Sequence, residues 1–134
     1  MIKKEDGNKY HFRNLVFEGG GVKGIAYTGA LEVLEKKGIL NNIQRFAGTS
    51  AGSIVAVFLA VGFTPKEIKE ILKKTNFESF KDEGLILTKT IQFLMKYGWF
   101  KGDYFQKWLE DNLSKKVNKD ITFGQLLALA NKEL

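Results

Sequence analysis

The 134 residues suffice for at most one domain, and a composition of 44% hydrophobic and 13% aromatic residues supplies a core and argues against a disordered chain. Cysteine is absent and His11 is the single histidine, which excludes a disulfide framework, a thiolate metal site and a multi-histidine metal cluster, and leaves a Ser-His-Asp triad one candidate base. The net charge of +6 rests almost wholly on lysines scattered through helical segments, a pattern of solvated surface or of attraction to anionic lipid headgroups rather than of nucleic-acid binding.

Residues 1–13 form a polar, charged lead without the apolar core of a signal peptide. The longest apolar run, Ala51 to Val61, falls short of the roughly 20 residues that a membrane span needs. The protein is therefore expected to be soluble, in the cytoplasm or delivered by a route that needs no signal peptide. Residues 15–18 read as a short strand, followed at once by Gly19, Gly20 and Gly21. From Val22 the period turns helical: Val22, Ile25, Ala26, Gly29, Ala30, Val33 and Leu34 share one face of a helix over 22–37, and Gly38 is placed for a left-handed stop. A second strand is predicted over 44–48, parallel to the first because a helix lies between them. The helix that follows, 51–61, is apolar on all sides, which predicts a central element covered all round, and it ends at Gly62.

Thr64, Pro65 and Glu67 make a capping box with proline at the first helical position, opening a helix through Lys74. Polar residues break the stretch 76–84, and a further helix is predicted over 88–97. Asp103 with Gln106 is read as the cap of the next, whose apolar stripe is Tyr104, Phe105, Trp108, Leu109 and Leu113. Thr122 with Gln125 caps the last, which carries Leu126, Leu127 and Leu129. A βαβα start followed only by helices is a poor parallel sheet by itself. It reads as the front portion of a larger α/β domain, with residues 14–134 belonging to it.

Two motifs carry chemistry. Gly48, Thr49, Ser50, Ala51 and Gly52 form Gly-x-Ser-x-Gly between a strand and a helix, the setting of a nucleophile elbow, in which a sharp turn projects the serine oxygen from the strand end. The plainer reading is a small-residue turn that packs a helix tightly on a sheet. Gly19, Gly21 and Gly24 form G-x-G-x-x-G after the first strand. A dinucleotide-binding fold uses that spacing with an acidic residue at the end of the second strand, where this chain has Gln44, Arg45, Phe46 and Ala47. A Walker phosphate loop is excluded because Ile25 follows Gly24. The other use of such a loop is an oxyanion hole: the N–H groups of Gly20 and Gly21 would face an oxygen beside Ser50, each such donor being worth about 3 kcal/mol, with positive potential from Lys23.

Gly-Gly-Gly-Val-Lys-Gly at 19–24 followed by Gly-Thr-Ser-Ala-Gly at 48–52 resembles the patatin-like phospholipases, and the likeness extends through Gly29, Ala30, Leu31 and the stretch from Gly62 to Glu67. The resemblance implies a three-layer α/β/α fold and a Ser-Asp dyad that hydrolyses acyl esters of phospholipids and related lipids without a metal or cofactor. It assigns the nucleophile to Ser50 and the oxyanion hole to the loop of Gly19, Gly20, Gly21, Lys23 and Gly24. The chain departs from the family in one respect, since no Asp-Gly-Gly or Asp-Gly-Ala is present: Asp82 is followed by Glu83 and Gly84, and Asp103 by Tyr104. The dyad aspartate is thus expected outside this chain, and residues 1–134 alone are expected to be inactive. The alternatives are a catalytically incomplete lipid- or partner-binding fragment and, less in keeping with the residues, a dinucleotide-binding domain. His11 reads as a surface or edge histidine, and Trp99 and Phe100 beside Lys101 suggest contact with an anionic membrane.

Overall fold

The computed structural model describes residues 10–77 and 102–130. The helix expected over 88–97, Asp82, and the Trp99, Phe100 and Lys101 group lie outside the described residues. The chain divides into two compact units, one through Thr75 and one from Asn76.

In the first unit, β1 (Asn14–Phe17) and β2 (Arg45–Gly48) pair in parallel, with Asn14 opposite Arg45 and Phe17 opposite Gly48. The pairing is the expected one, with strand ends shifted by one residue. At its start the Arg13 carbonyl accepts from both Gln44 N–H and Arg45 N–H, and past its end Thr49 N–H donates to the Phe17 carbonyl at 3.1 Å.

The expected helix over 22–37 forms in two parts, a 3-10 turn (Gly21–Ile25) and then α1 (Ala26–Lys36). Gly21, at φ +55°, starts the tighter turn in a conformation that glycine adopts without strain. α1 buries Leu31 and Thr28 but leaves Val33, with Val22 and Ile25 ahead of it, exposed, so only part of the predicted apolar face is covered. Its end is a Schellman cap: Gly38 at φ +69° donates to Glu35, and Ile39 donates to Leu34.

α2 (Ala51–Ala60) lies on both strands and buries Val55, Ala56, Phe58 and Leu59. It stops by the same device: Gly62 at φ +88° donates to Leu59, Phe63 donates to Phe58, and the two rings pack with centroids 5.0 Å apart. The expectation that α2 is covered all round does not hold among the described residues, because Val57 and Ala60 are exposed. Uniform apolarity sets how much of a helix can be buried, and the neighbours on each side decide how much is.

α3 (Pro65–Lys74) begins with the predicted capping box, in which Thr64 Oγ1 accepts from Glu67 N–H at 3.3 Å and a Glu67 carboxylate oxygen accepts from Thr64 N–H at 2.8 Å. It packs on α1, buries Ile68 and Leu72, and its Lys69 Nζ meets Glu32 Oε1 at 2.7 Å. The sheet therefore has α2 on the face of buried Phe17, while Val16, pointing to the opposite face, is 71% exposed.

The second unit contains α4 (Asp103–Leu113) and α5 (Phe123–Ala130). Asp103 does not cap α4 as predicted. Gly102, at φ +81°, occupies the cap position and Asp103 is the first helical residue, where its charge suits the positive end of the dipole. Gln106 donates to Glu110 at 2.9 Å instead of closing a box. The box at α5 forms as predicted: Gln125 N–H donates to Thr122 Oγ1 at 3.3 Å, and Thr122 N–H donates to Gln125 Oε1 at 2.9 Å. No helix among the described residues is long and apolar enough to cross a membrane.

Candidate active site

Ser50 stands between the last residue pair of β2 and the first turn of α2, with φ 48° and ψ −127°. Among the described residues it is the only non-glycine with positive φ. Such a conformation costs a side-chain-bearing residue about 1–3 kcal/mol and persists only where its surroundings enforce it. Here they do. Thr49 is tied to Phe17, Gly52 N–H donates to the Thr49 carbonyl at 2.9 Å, and the Ser50 carbonyl accepts from both Ser53 N–H at 2.9 Å and Ser53 Oγ at 2.6 Å.

The two flanking glycines are sterically required. A β-carbon on Gly48 would collide with the Gly52 carbonyl group, and one on Gly52 would lie 2.6 Å from the carbonyl oxygens of both Phe17 and Glu18. The Ser50 side chain is exposed and its hydroxyl makes no hydrogen bond among the described residues. Gly52 and Ser53 have already spent their N–H groups on this turn, so of the N–H groups at the start of α2, Ala51 N–H is the one that precedes those bonds.

The glycine-rich loop lies against this turn. A β-carbon on Gly19 would stand 3.0 Å from Ser50 Cβ, and one on Gly24 would stand 3.3 Å from Ala51 Cβ. Between those two contacts the chain passes through Gly20, at φ −164°, and Gly21, and closes its first turn by Lys23 N–H donating to the Gly20 carbonyl at 3.1 Å. The N–H groups of Gly20 and Gly21 come before that bond and have no acceptor within the turn. Lys23 is exposed on the same loop. The structure thus brings together Gly19, Gly24, Ser50 and Ala51 from two motifs about 30 positions apart.

His11, also exposed, sits on the lead before β1, with no hydrogen bond to Ser50. Asp103 belongs to the second unit. One residue at the loop was not singled out from sequence: Tyr27, whose hydroxyl donates to the Glu18 carbonyl at 2.7 Å and whose ring meets Phe17 edge-on at 5.3 Å. The signal available was an aromatic ring among the small residues Ala26, Gly29 and Ala30 just after the glycine loop.

Known proteins match this chain along most of its length. A family model described as patatin-like phospholipase matches residues 15–132. The uncharacterized protein YqhO of Bacillus subtilis (strain 168) is 43% identical over 87% of this chain and 42% of its own length. A probable lipid hydrolase, 463L, of invertebrate iridescent virus 6 is 33% identical over 86% of this chain and 39% of its own length. Among solved structures, the complex of full-length SpcU with full-length ExoU from the type III secretion system of Pseudomonas aeruginosa contains a chain that superposes with a TM-score of 0.54 at 30% identity, covering 79% of this chain and 22% of that one. The chain spans about two fifths of the length of these two relatives. With a parallel β1–β2 pair, helices beside it and a family model running from the first strand nearly to the last residue, this chain belongs to the patatin-like phospholipase family.

Proposed function

We propose that this chain is the front portion of a lipid acyl hydrolase in which Ser50 is the nucleophile. The observation that carries the reading is the strained backbone of Ser50, enforced at the mouth of a strand-to-helix turn with the glycine loop against its β-carbon. In the proposed reaction Ser50 Oγ attacks the ester carbonyl carbon while its proton passes to a carboxylate base. The carbonyl oxygen becomes an oxyanion facing N–H groups of Gly20 and Gly21, with Ala51 N–H on the elbow side and Lys23 adding positive potential. Collapse of the adduct, with the base returning its proton to the leaving alkoxide, releases the alcohol and leaves an acyl-serine; water then hydrolyses it, the freed base accepting the proton of water and passing it back to Ser50 Oγ.

The base is assigned to an aspartate outside this chain, following the family's Ser-Asp dyad. The substrate class, acyl esters of phospholipids or related lipids, follows the family description and the name of the viral relative. Contact with an anionic membrane is proposed for the lysine-rich surface.

The test is turnover of a nitrophenyl ester by residues 1–134, by a version extended to the relatives' length, and by the extended Ser50→Ala variant. The short chain is expected to be nearly inactive, the extended one active, and the serine variant dead, since loss of a nucleophile or its base costs several powers of ten. Full turnover by the short chain would place the base within it. Undiminished activity of the Ser50→Ala variant would remove Ser50 as nucleophile.

A further inference from the structure

We infer that Tyr27 is a positioning residue for the oxyanion-binding loop, acting through the hydrogen bond from its hydroxyl to the Glu18 carbonyl. The inference rests on the proposed role of that loop and goes beyond it, since no part of that reading uses Tyr27.

Three successive glycines have more backbone freedom than any other tripeptide, so the loop cannot hold its N–H groups toward Ser50 by its own stiffness. It must be fixed from outside at both ends. At the Gly24 end the fixing is steric: Gly24 is buried, and a β-carbon there would already press on Ala51 Cβ at 3.3 Å. At the Glu18 end two contacts converge on one peptide group. The Glu18 carbonyl stands where a β-carbon of Gly52 would meet it at 2.6 Å, so the backbone of α2 backs it on one side. From α1 the Tyr27 hydroxyl reaches the same oxygen at 2.7 Å.

Tyr27 is itself well placed to be rigid. Its ring is set edge-on against buried Phe17 at a 70° interplanar angle, and it begins one turn beyond Gly24. The span from Glu18 to Tyr27 is therefore closed into a ring of ten residues that includes Gly20 and Gly21. Without the hydroxyl, the Glu18–Gly19 peptide would keep its contact with Gly52 and lose what stops it from rotating. The oxyanion donors would then sample orientations away from the adduct. A loss of this kind acts on the tetrahedral state more than on ground-state binding, so it falls on kcat rather than on KM.

The experiment uses the extended protein with Tyr27→Phe, which keeps the ring packed on Phe17, beside the parent and Ser50→Ala. Three quantities are read: kcat and KM for a nitrophenyl ester well below the melting temperature, and the inhibition constant of an alkylboronic acid, whose serine adduct is tetrahedral and anionic. Expected is a fall in kcat of about five- to tenfold, the range of one lost neutral hydrogen bond, with KM within about twofold and boronate affinity weakened in parallel with kcat. A merely structural tyrosine would lower the melting temperature and leave kcat and boronate affinity unmoved at the assay temperature. That result, with Ser50→Ala inactive, overturns the role of Tyr27 alone. Failure of the parent to show any Ser50-dependent turnover overturns the proposed function and this inference with it.

Discussion

The backbones of Gly48 and Gly52 touch across the turn that holds Ser50: a β-carbon on Gly48 would run into the Gly52 carbonyl group and stand 2.7 Å from the Ser53 nitrogen. The obstructing atoms are backbone, which cannot swing aside as a side chain can. Gly48→Ala is therefore expected to cost about 3 kcal/mol or more, or to prevent folding, by the same mechanism as overpacking a core. Gly29→Ala is the control. Nothing lies within 4 Å of its β-carbon position on α1, so it should be neutral or stabilise by about 0.5–1 kcal/mol through helix propensity. Denaturant melts of the two variants give the comparison, and equal midpoints would contradict the crowding argument.

Ser50 offers a test in the opposite direction. Its φ of 48° with ψ of −127° penalises any residue with a β-carbon, whereas glycine adopts positive φ freely. Ser50→Gly is thus expected to melt higher than Ser50→Ala, by about 1 kcal/mol, even though glycine loses more chain entropy on folding. Both variants should be equally inactive as esterases. A Ser50→Gly protein less stable than Ser50→Ala would mean that the turn carries no strain.

The ion pair between α1 and α3 predicts a pH dependence. The hydrogen bond from Lys69 holds the Glu32 carboxyl below its ordinary value of 4.5, and the charges of Lys69, Lys36 and Lys73 act in the same direction. A carboxylate with a lowered folded pKa adds stability that is present above its unfolded pKa and lost as pH falls through the folded one. The melting temperature of the parent should therefore exceed that of Glu32→Gln at pH 7, and the gap should close as pH drops below 4.5. Both groups are solvent-accessible, so the gap should also narrow in high salt. A gap that widens in acid would refute the pairing.

Each of the two capping boxes supplies acceptors to a helix start that would otherwise lack them. Thr64→Ala and Thr122→Ala are each expected to destabilise by about 1 kcal/mol. Because Thr64 lies in the first unit and Thr122 in the second, amide exchange should localise the first effect to Pro65–Lys74 and the second to Phe123–Ala130. A uniform effect over both helices would show that the caps are not acting locally.

The parallel pairing, the Ser50 turn and both capping boxes were legible in the sequence because each is a short-range rule written in a few residue types. Gly48 and Gly52 announced a tight turn, and Thr64 with Glu67 announced a helix start. The close approach of Gly19 to Ser50 followed once two strands separated by one helix were taken as neighbours. What could not be read was set by geometry at longer range or by competition between adjacent residues. Gly102 displaced Asp103 from the cap because a left-handed glycine can turn the chain into the helix without a side-chain acceptor. The 3-10 turn at Gly21–Ile25 opens on the positive φ of Gly21, a local geometry that a periodic apolar pattern does not encode. Tyr27 was overlooked because its partner is a backbone carbonyl nine residues away, and no pattern of side chains marks a carbonyl.

The pairing of Asn14 with Arg45 spans 31 residues and has a consequence for how the site comes into being. Neither motif is stable locally. The turn at Ser50 leans on Phe17 through Thr49 N–H and through the close approach of Gly52, so its strain can be held only after the crossover has closed. Closing it costs chain entropy that no contact inside either motif returns. Lys36 and Lys37, at the exposed end of α1, lie within that crossover. A protease that cuts there removes no residue of either motif, yet it turns a unimolecular closure into the association of two fragments, and the serine turn is then only as stable as that association.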